Sequence, residues 1–311
     1  MTPEASLLSV SAASVDFQNP IILAAGTAAY GRELSGVMNL ESLGGVVTKA
    51  VSREPRQGAP APRVSEFDGG MINAVGLANP GLDSVMREDL PWLAEHLHSA
   101  RVIVNVIGNA LEDFAEVVAA LDDVARVDAF ELNVSCPNVK AGGMEFGADR
   151  ATLTDLIVRA RARTSKPLFV KLSPVLPSIA DTARAAVDAG ADGLTLINTI
   201  PGLAIDIESR RPSLGFGSGG ISGPGLLPVG VLAVWKVSRA VQAPVIGVGG
   251  VTRGSDAIQY LMAGASLVGV GTAALRDPRA PERIVAEMKA WLRTHGIKSV
   301  RDVIGSLEWQ S

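Results

Sequence analysis

The chain has 311 residues, 47% apolar and 19% charged, with a formal net charge of −4. That composition suits a large core and excludes a disordered chain, and the weak negative charge gives no reason to expect nucleic acid or an anionic membrane. No apolar run reaches the 18 or so residues of a transmembrane helix, and residues 1–20 lack the basic start and apolar core of a signal peptide, so a cytoplasmic location is expected.

Taken in chain order, short apolar runs alternate with helical patterns. The predicted strands cover Pro20–Gly26, Gly45–Lys49, Val102–Gly108, Ala129–Ser135, Leu168–Ser173, Gly193–Thr199, Val245–Gly250 and Leu267–Thr272. Amphipathic stretches with apolar residues three and four apart fill 111–126, 150–165, 178–190, 228–241 and 254–264. Continuous apolar strands need cover on both faces, and eight βα units in one chain predict a closed (β/α)8 TIM barrel spanning 1–311 as one domain. Two segments interrupt the repeat. Residues 63–77 read RVSEFDGGMINAVGL, two strands turned at Asp68-Gly69-Gly70, and residues 200–225 are rich in glycine and proline. Both follow strands, which puts both insertions on the C-terminal face where barrels build their sites.

The strand ends carry the functional signal. They are Ala25-Gly26, Lys49, Asn105, Asn133, Lys171, Asn198-Thr199, Gly249-Gly250 and Gly271-Thr272. Any one of them has an ordinary explanation as a snorkelling lysine or a turn. Small, amide and ammonium groups at one rim are harder to explain as packing, because barrel interiors are normally bulky and apolar. Gly249, Gly250 and Gly271 end the seventh and eighth strands, where barrels often hold a phosphate, and Gly223 in the ISGPG run is a further candidate for close approach. Lys49 and Lys171 leave two chemistries open: a fixed cation stabilising a reduced flavin, or a Schiff base on a sugar phosphate. His96, His98 and His295 lie in helical stretches, and no metal constellation accompanies them.

Cys136 is the only cysteine, so it has no intrachain disulfide partner, and the chain cannot supply the four thiolates of an iron–sulfur cluster. It stands where the run AFELNVS meets Pro137, which cannot continue a ladder. Asn133, Ser135 and Asn138 surround it, and Gly142, Gly143 and Gly147 follow in a loop. A thiol at a strand end among amides is placed for chemistry.

These residues match a known pattern. NAVGLANPG (73–81), NVSCPNVKAGG (133–143), VKLSP (170–174), INT (197–199), GGISGP (219–224) and IGVGGV (246–251) together resemble dihydroorotate dehydrogenase of class 1, in particular the FMN-binding catalytic subunits of class 1B. The resemblance runs from about residue 7 to residue 305. It implies FMN held by Ala25, Lys49, Ala50, Asn105, Asn133, Lys171, Ile197, Gly223, Gly249, Gly250, Gly271 and Thr272. It implies substrate on the flavin, held by Lys49, Asn73, Ala74, Val75, Gly76, Leu77, Asn133, Asn198 and Thr199. Cys136 would take the C5 proton of dihydroorotate while the C6 hydride goes to FMN, a step of pyrimidine biosynthesis. Many relatives carry serine where this chain has Ala25. The class also implies a homodimer of barrels and an electron-transfer subunit carrying FAD and a 2Fe-2S cluster, two of each chain, that passes electrons to NAD. Competing readings are a fumarate-dependent class 1A enzyme, a dihydropyrimidine reductase, a non-redox barrel acting on sugar phosphates and a non-catalytic flavin-binding module.

Overall fold

The computed structural model describes residues 7–135, 137–138 and 144–309. Eight parallel strands close into a ring in sequential order. They are β1 (Ile21–Leu23), β2 (Gly45–Val47), β3 (Arg101–Val106), β4 (Ala129–Asn133), β5 (Leu168–Leu172), β6 (Gly193–Leu196), β7 (Val245–Val248) and β8 (Leu267–Val270). Every predicted strand is present, shortened mainly at its C-terminal end. There the chain leaves the ladder to build loops, which is why the predicted runs extend beyond the paired residues.

Helices cover the ring. They are α1 (Leu90–His96), α2 (Leu111–Leu121), α3 (Arg150–Arg161), α4 (Ile179–Asp188), α5 (Leu227–Ser238), α6 (Gly254–Met262), α7 (Thr272–Arg276) and α8 (Ala280–Thr294). Their inner faces bury Phe114, Val117, Leu121, Leu153, Leu156, Val234, Leu261, Ile284 and Met288 against the outward side chains of the strands. Caps set the starts: Asp149 accepts from the Thr152 amide before α3, and Ser178 from the Asp181 amide before α4. Between β1 and β2 the chain forms turns and one short 3-10 segment, Leu40–Ser42, instead of a long helix.

The two predicted insertions are one structure. Val64–Phe67, Gly70–Asn73, Gly219–Ser222 and Ile200–Gly202 pair edge to edge as a four-stranded antiparallel sheet. Sequence reading anticipated the first hairpin, but not that the segment after β6 would extend it.

The opposite, N-terminal face is held by a carboxylate. Glu41, just before β2, accepts from the amides of His98 (2.8 Å), Ser99 (3.0 Å) and Ala100 (3.2 Å), just before β3. Burial pushes the Glu41 carboxyl up, but these amides outweigh it and hold the group below its ordinary value of 4.5. A lowered folded value means stability that is complete above the unfolded pKa and lost as pH falls through the folded one. Glu41→Ala is therefore expected to cost about 1–3 kcal/mol at neutral pH. Urea-unfolding midpoints of the two proteins should converge as the solution is acidified below the carboxylate range.

Candidate active site

The ladder register decides which side chains share the lumen. Asn105 pairs with Glu131, Glu131 with Phe169, and Phe169 with Gly193. One layer nearer the C-terminal end, Asn133 pairs with Lys171 and Lys171 with Thr195. Paired residues lie on one face, and side chains two apart on a strand share that face. Thr195 on β6 donates to Glu131 on β4 at 2.7 Å, and because β5 lies between these strands, the bond crosses the interior. The face is therefore the lumen. Phe169 shares that row with Glu131, and a Cβ on Gly193 would stand 2.4 Å from the Phe169 ring.

Beside that ring the interior is polar. Asn105 and Glu131 are each 1% exposed, and Asn105 Nδ2 donates to Glu131 Oε1 at 2.6 Å. The amide oxygen of Asn105 is buried with no hydrogen-bond partner among the described residues. Lys171 is 6% exposed and belongs to no ion pair among the described residues. Lys49 is half-buried just past β2, and its amide donates to the Ala29 carbonyl. Ala50 is buried and its carbonyl accepts from Tyr30. Ala25 is half-buried beyond β1, and Ile197 is buried beyond β6.

A hydrogen-bonded chain runs beside Cys136, which itself lies outside the described residues. Asn198 Nδ2 donates to Ser135 Oγ at 2.6 Å, and Ser135 Oγ donates to Asn133 Oδ1 at 3.0 Å. Asn198 Oδ1 accepts the Thr199 amide. The antiparallel sheet brings Asn73 to the same place, for Asn73 Nδ2 donates to the Gly220 carbonyl and Gly220 lies against Thr199. Ala74 donates to Arg63, Val75 accepts from Ala59, and Gly76 and Leu77 turn with positive φ. The sheet thus brings Asn73 beside the segment that follows Thr199.

Gly249 and Gly250 have φ of +125° and +76°, a region that favours glycine. Tyr260 on α6 donates to the Gly249 carbonyl at 2.7 Å, and burial pushes its phenol well above the usual range, so it remains a donor. A Cβ on Gly271 would find nothing closer than Thr27 Oγ1 at 3.8 Å, leaving its backbone open. Thr272 Oγ1 donates to Ser222 Oγ at 2.8 Å, joining the loop after β8 to the antiparallel sheet. Gly223 also has a packing role. It is buried, and a Cβ there would stand 2.6 Å from Gly70 Cα, so packing against the hairpin already demands glycine.

Together these groups fit FMN: an open glycine backbone for the phosphate, a buried ammonium for negative charge, and an unpaired acceptor for a ring N–H. Sequence reading missed Glu131, Thr195 and Tyr260. A charged residue inside the apolar run AFELN was the available signal for Glu131; Tyr260 had none, since it acts from behind the strand. A separate cavity of about 600 Å³, lined by Trp92, His96, Arg279 and Glu282 among others, contains none of the predicted site residues. His96 and His295 stack on Trp92 and Trp291, one helical turn earlier.

The dihydroorotate dehydrogenase family model matches residues 7–292. Proteins named dihydroorotate dehydrogenase B (NAD(+)), catalytic subunit, from Geobacter sp. (strain M21) and Geobacter sulfurreducens are each 46% identical to this chain over 301 residues, covering 97% of it and 98% of their own length. The crystal structure of DHODH in complex with ferulenol from Eimeria tenella superposes with a TM-score of 0.80 at 28% identity, covering 96% of this chain and 88% of that one.

Gly250 offers a test of the glycine loop. A Cβ there would stand 2.4 Å from the Leu227 amide nitrogen, at a φ that other residues rarely adopt. Gly250→Ala should cost about 1–3 kcal/mol of stability and shift the loop. Thermal unfolding and a fluorescence titration with FMN should show a lower midpoint and weaker binding together.

Proposed function

The chain belongs to the dihydroorotate dehydrogenase family, and from that premise we propose that it works as one FMN-binding barrel domain oxidising dihydroorotate to orotate, with the electrons passed on to NAD. The observation that carries this reading is the polar lumen: Asn105, Asn133 and Lys171 on the inward face of the strands, with Asn198 and Asn73 at the rim. FMN, when bound, supplies the acceptor for the C6 hydride.

The rest is work for the chain's own side chains. Gly249, Gly250, Gly271 and Thr272 hold the phosphate, with Gly223 beside them, and Ala25 contacts FMN through its backbone. Lys171 holds negative charge at the ring, and Lys49, Ala50, Asn105, Asn133 and Ile197 complete the flavin contacts. Asn73 to Leu77, Asn133, Asn198 and Thr199 hold the substrate, a planar ring of amide donors and acceptors with a carboxylate that Lys49 neutralises. Cys136 removes the C5 proton. Its neighbours support that role, because the Asn198–Ser135–Asn133 chain fixes the strand end from which Cys136 follows.

Electrons leave through a second subunit carrying FAD and a 2Fe-2S cluster, two of each chain around a homodimer of barrels. The NAD-linked relatives support this assignment, and one cysteine cannot itself provide the ligands of such a cluster. Dihydroorotate-dependent NAD reduction should be slow with the barrel alone and fast with the partner co-expressed. Equal rates, or efficient turnover with fumarate alone, would place the chain with class 1A.

Cys136→Ser separates the base from the scaffold. A serine hydroxyl is a far weaker acid than a thiol of ordinary pKa near 8.5. Rapid mixing with dihydroorotate should show flavin reduction slowed by about 10²–10⁴-fold, the usual worth of a positioned base. Wild-type rates should rise with pH as the thiolate forms, while FMN content and orotate affinity stay unchanged. A variant that reduces normally at neutral pH would remove Cys136 from this role.

A further inference from the structure

The Asn105 amide is fixed in one orientation by a carboxylate that touches no other rim residue named as a ligand contact. A carboxylate only accepts hydrogen bonds, whereas an amide side chain has a donor end and an acceptor end that exchange places on flipping. With Nδ2 of Asn105 2.6 Å from Glu131 Oε1, a flipped amide would set two acceptors against each other at that distance. Glu131 cannot turn aside, because its other oxygen accepts from Thr195 Oγ1 at 2.7 Å. The Asn105 oxygen is therefore held away from Glu131, buried and unpaired among the described residues.

We propose that Glu131 is a positioning residue for the flavin: it keeps the Asn105 oxygen free as an acceptor, and that oxygen takes the N3–H of the isoalloxazine. The inference rests on the FMN reading above. Among the ring atoms of oxidised flavin, N3–H is the one donor, while N1, N5 and the two carbonyl oxygens accept. An acceptor locked in the wall thus selects one edge of the ring. Its place favours the flavin over the substrate, since Asn105 stands within the paired part of β3 and is 1% exposed. Asn73 belongs to the antiparallel sheet outside the ring, and Asn198 stands beyond the end of β6.

The test is a fluorescence titration of the flavin-stripped full chain with FMN and with 3-methyl-FMN, in which a methyl replaces the N3 hydrogen. Wild type should prefer FMN by about tenfold or more, the order of one good hydrogen bond. Glu131→Gln should keep that preference, because its oxygen can still face Asn105 Nδ2 while its amide donates to Thr195 Oγ1. Thr195→Val alone should keep it too, since Glu131 remains. The double variant Glu131→Gln/Thr195→Val takes away the hydroxyl acceptor and turns the glutamine amide toward the Asn105 oxygen. It should bind FMN about tenfold more weakly and treat the two flavins nearly alike, as should Glu131→Met. Should Glu131→Met fail to fold, the near-isosteric double variant carries the test.

If Glu131→Gln alone loses as much as the double variant, the charge matters and not the orientation, and the proposal falls. It falls equally if the double variant keeps the preference, or if orotate affinity drops while FMN affinity does not. A wild-type chain that binds neither flavin overturns the FMN reading, and this inference with it.

Discussion

Parallel strands closed into a ring share a single hydrogen-bond register, and a slip of one residue in any pair would turn that strand's lumen set outward. The arrangement of the site depends on this constraint. It puts Asn105, Glu131 and Phe169 in one layer and Asn133, Lys171 and Thr195 in the next, although these residues are spread over 90 positions of chain. No loop places them; the ladder does, and the loops only finish what it starts.

Most barrel interiors are filled with branched apolar side chains. In this one Phe169 occupies the space that Gly193 leaves open. Beside it, a carboxylate, two amides, a hydroxyl and an ammonium share a volume almost without solvent. Burying a carboxylate is tolerable because both its oxygens accept hydrogen bonds. The unpaired Asn105 oxygen and the Lys171 ammonium are the two groups that the described residues leave for a ligand to satisfy. At the opposite face Glu41 collects three amides and ties two strand entrances together. Chemistry and stability thus sit at opposite ends of the same strands.

The antiparallel sheet explains how two distant insertions serve one site. Gly70–Asn73 pairs with Gly219–Ser222, so Asn73 reaches the Gly220 carbonyl across 147 positions of chain. Close backbone approach demands the glycines at this junction: a side chain on Gly70 would enter the Ser222 carbonyl, and one on Gly223 would meet Gly70. Thr272 bonds Ser222 from just past β8, so the sheet and the barrel rim hold each other.

Hydrophobic periodicity determined the eight strands, and the glycine and amide residues at their ends marked the C-terminal rim as the working face. Both are local properties, carried by residues a few positions apart, and so they were legible in the sequence along with the family motifs. The local pattern could not show that Glu131 and Thr195 meet across the lumen, because that contact spans 64 positions and arises only when the ring closes. Nor could it show that Tyr260 holds the Gly249 carbonyl from the helix side. Gly223 reads in the sequence as a ligand glycine, yet the fold gives it a packing reason of its own. Spacing along the chain set which groups were available at the rim; closure and register decided which of them face each other, because hydrogen-bond partners in a barrel are chosen by the ladder and not by distance along the sequence.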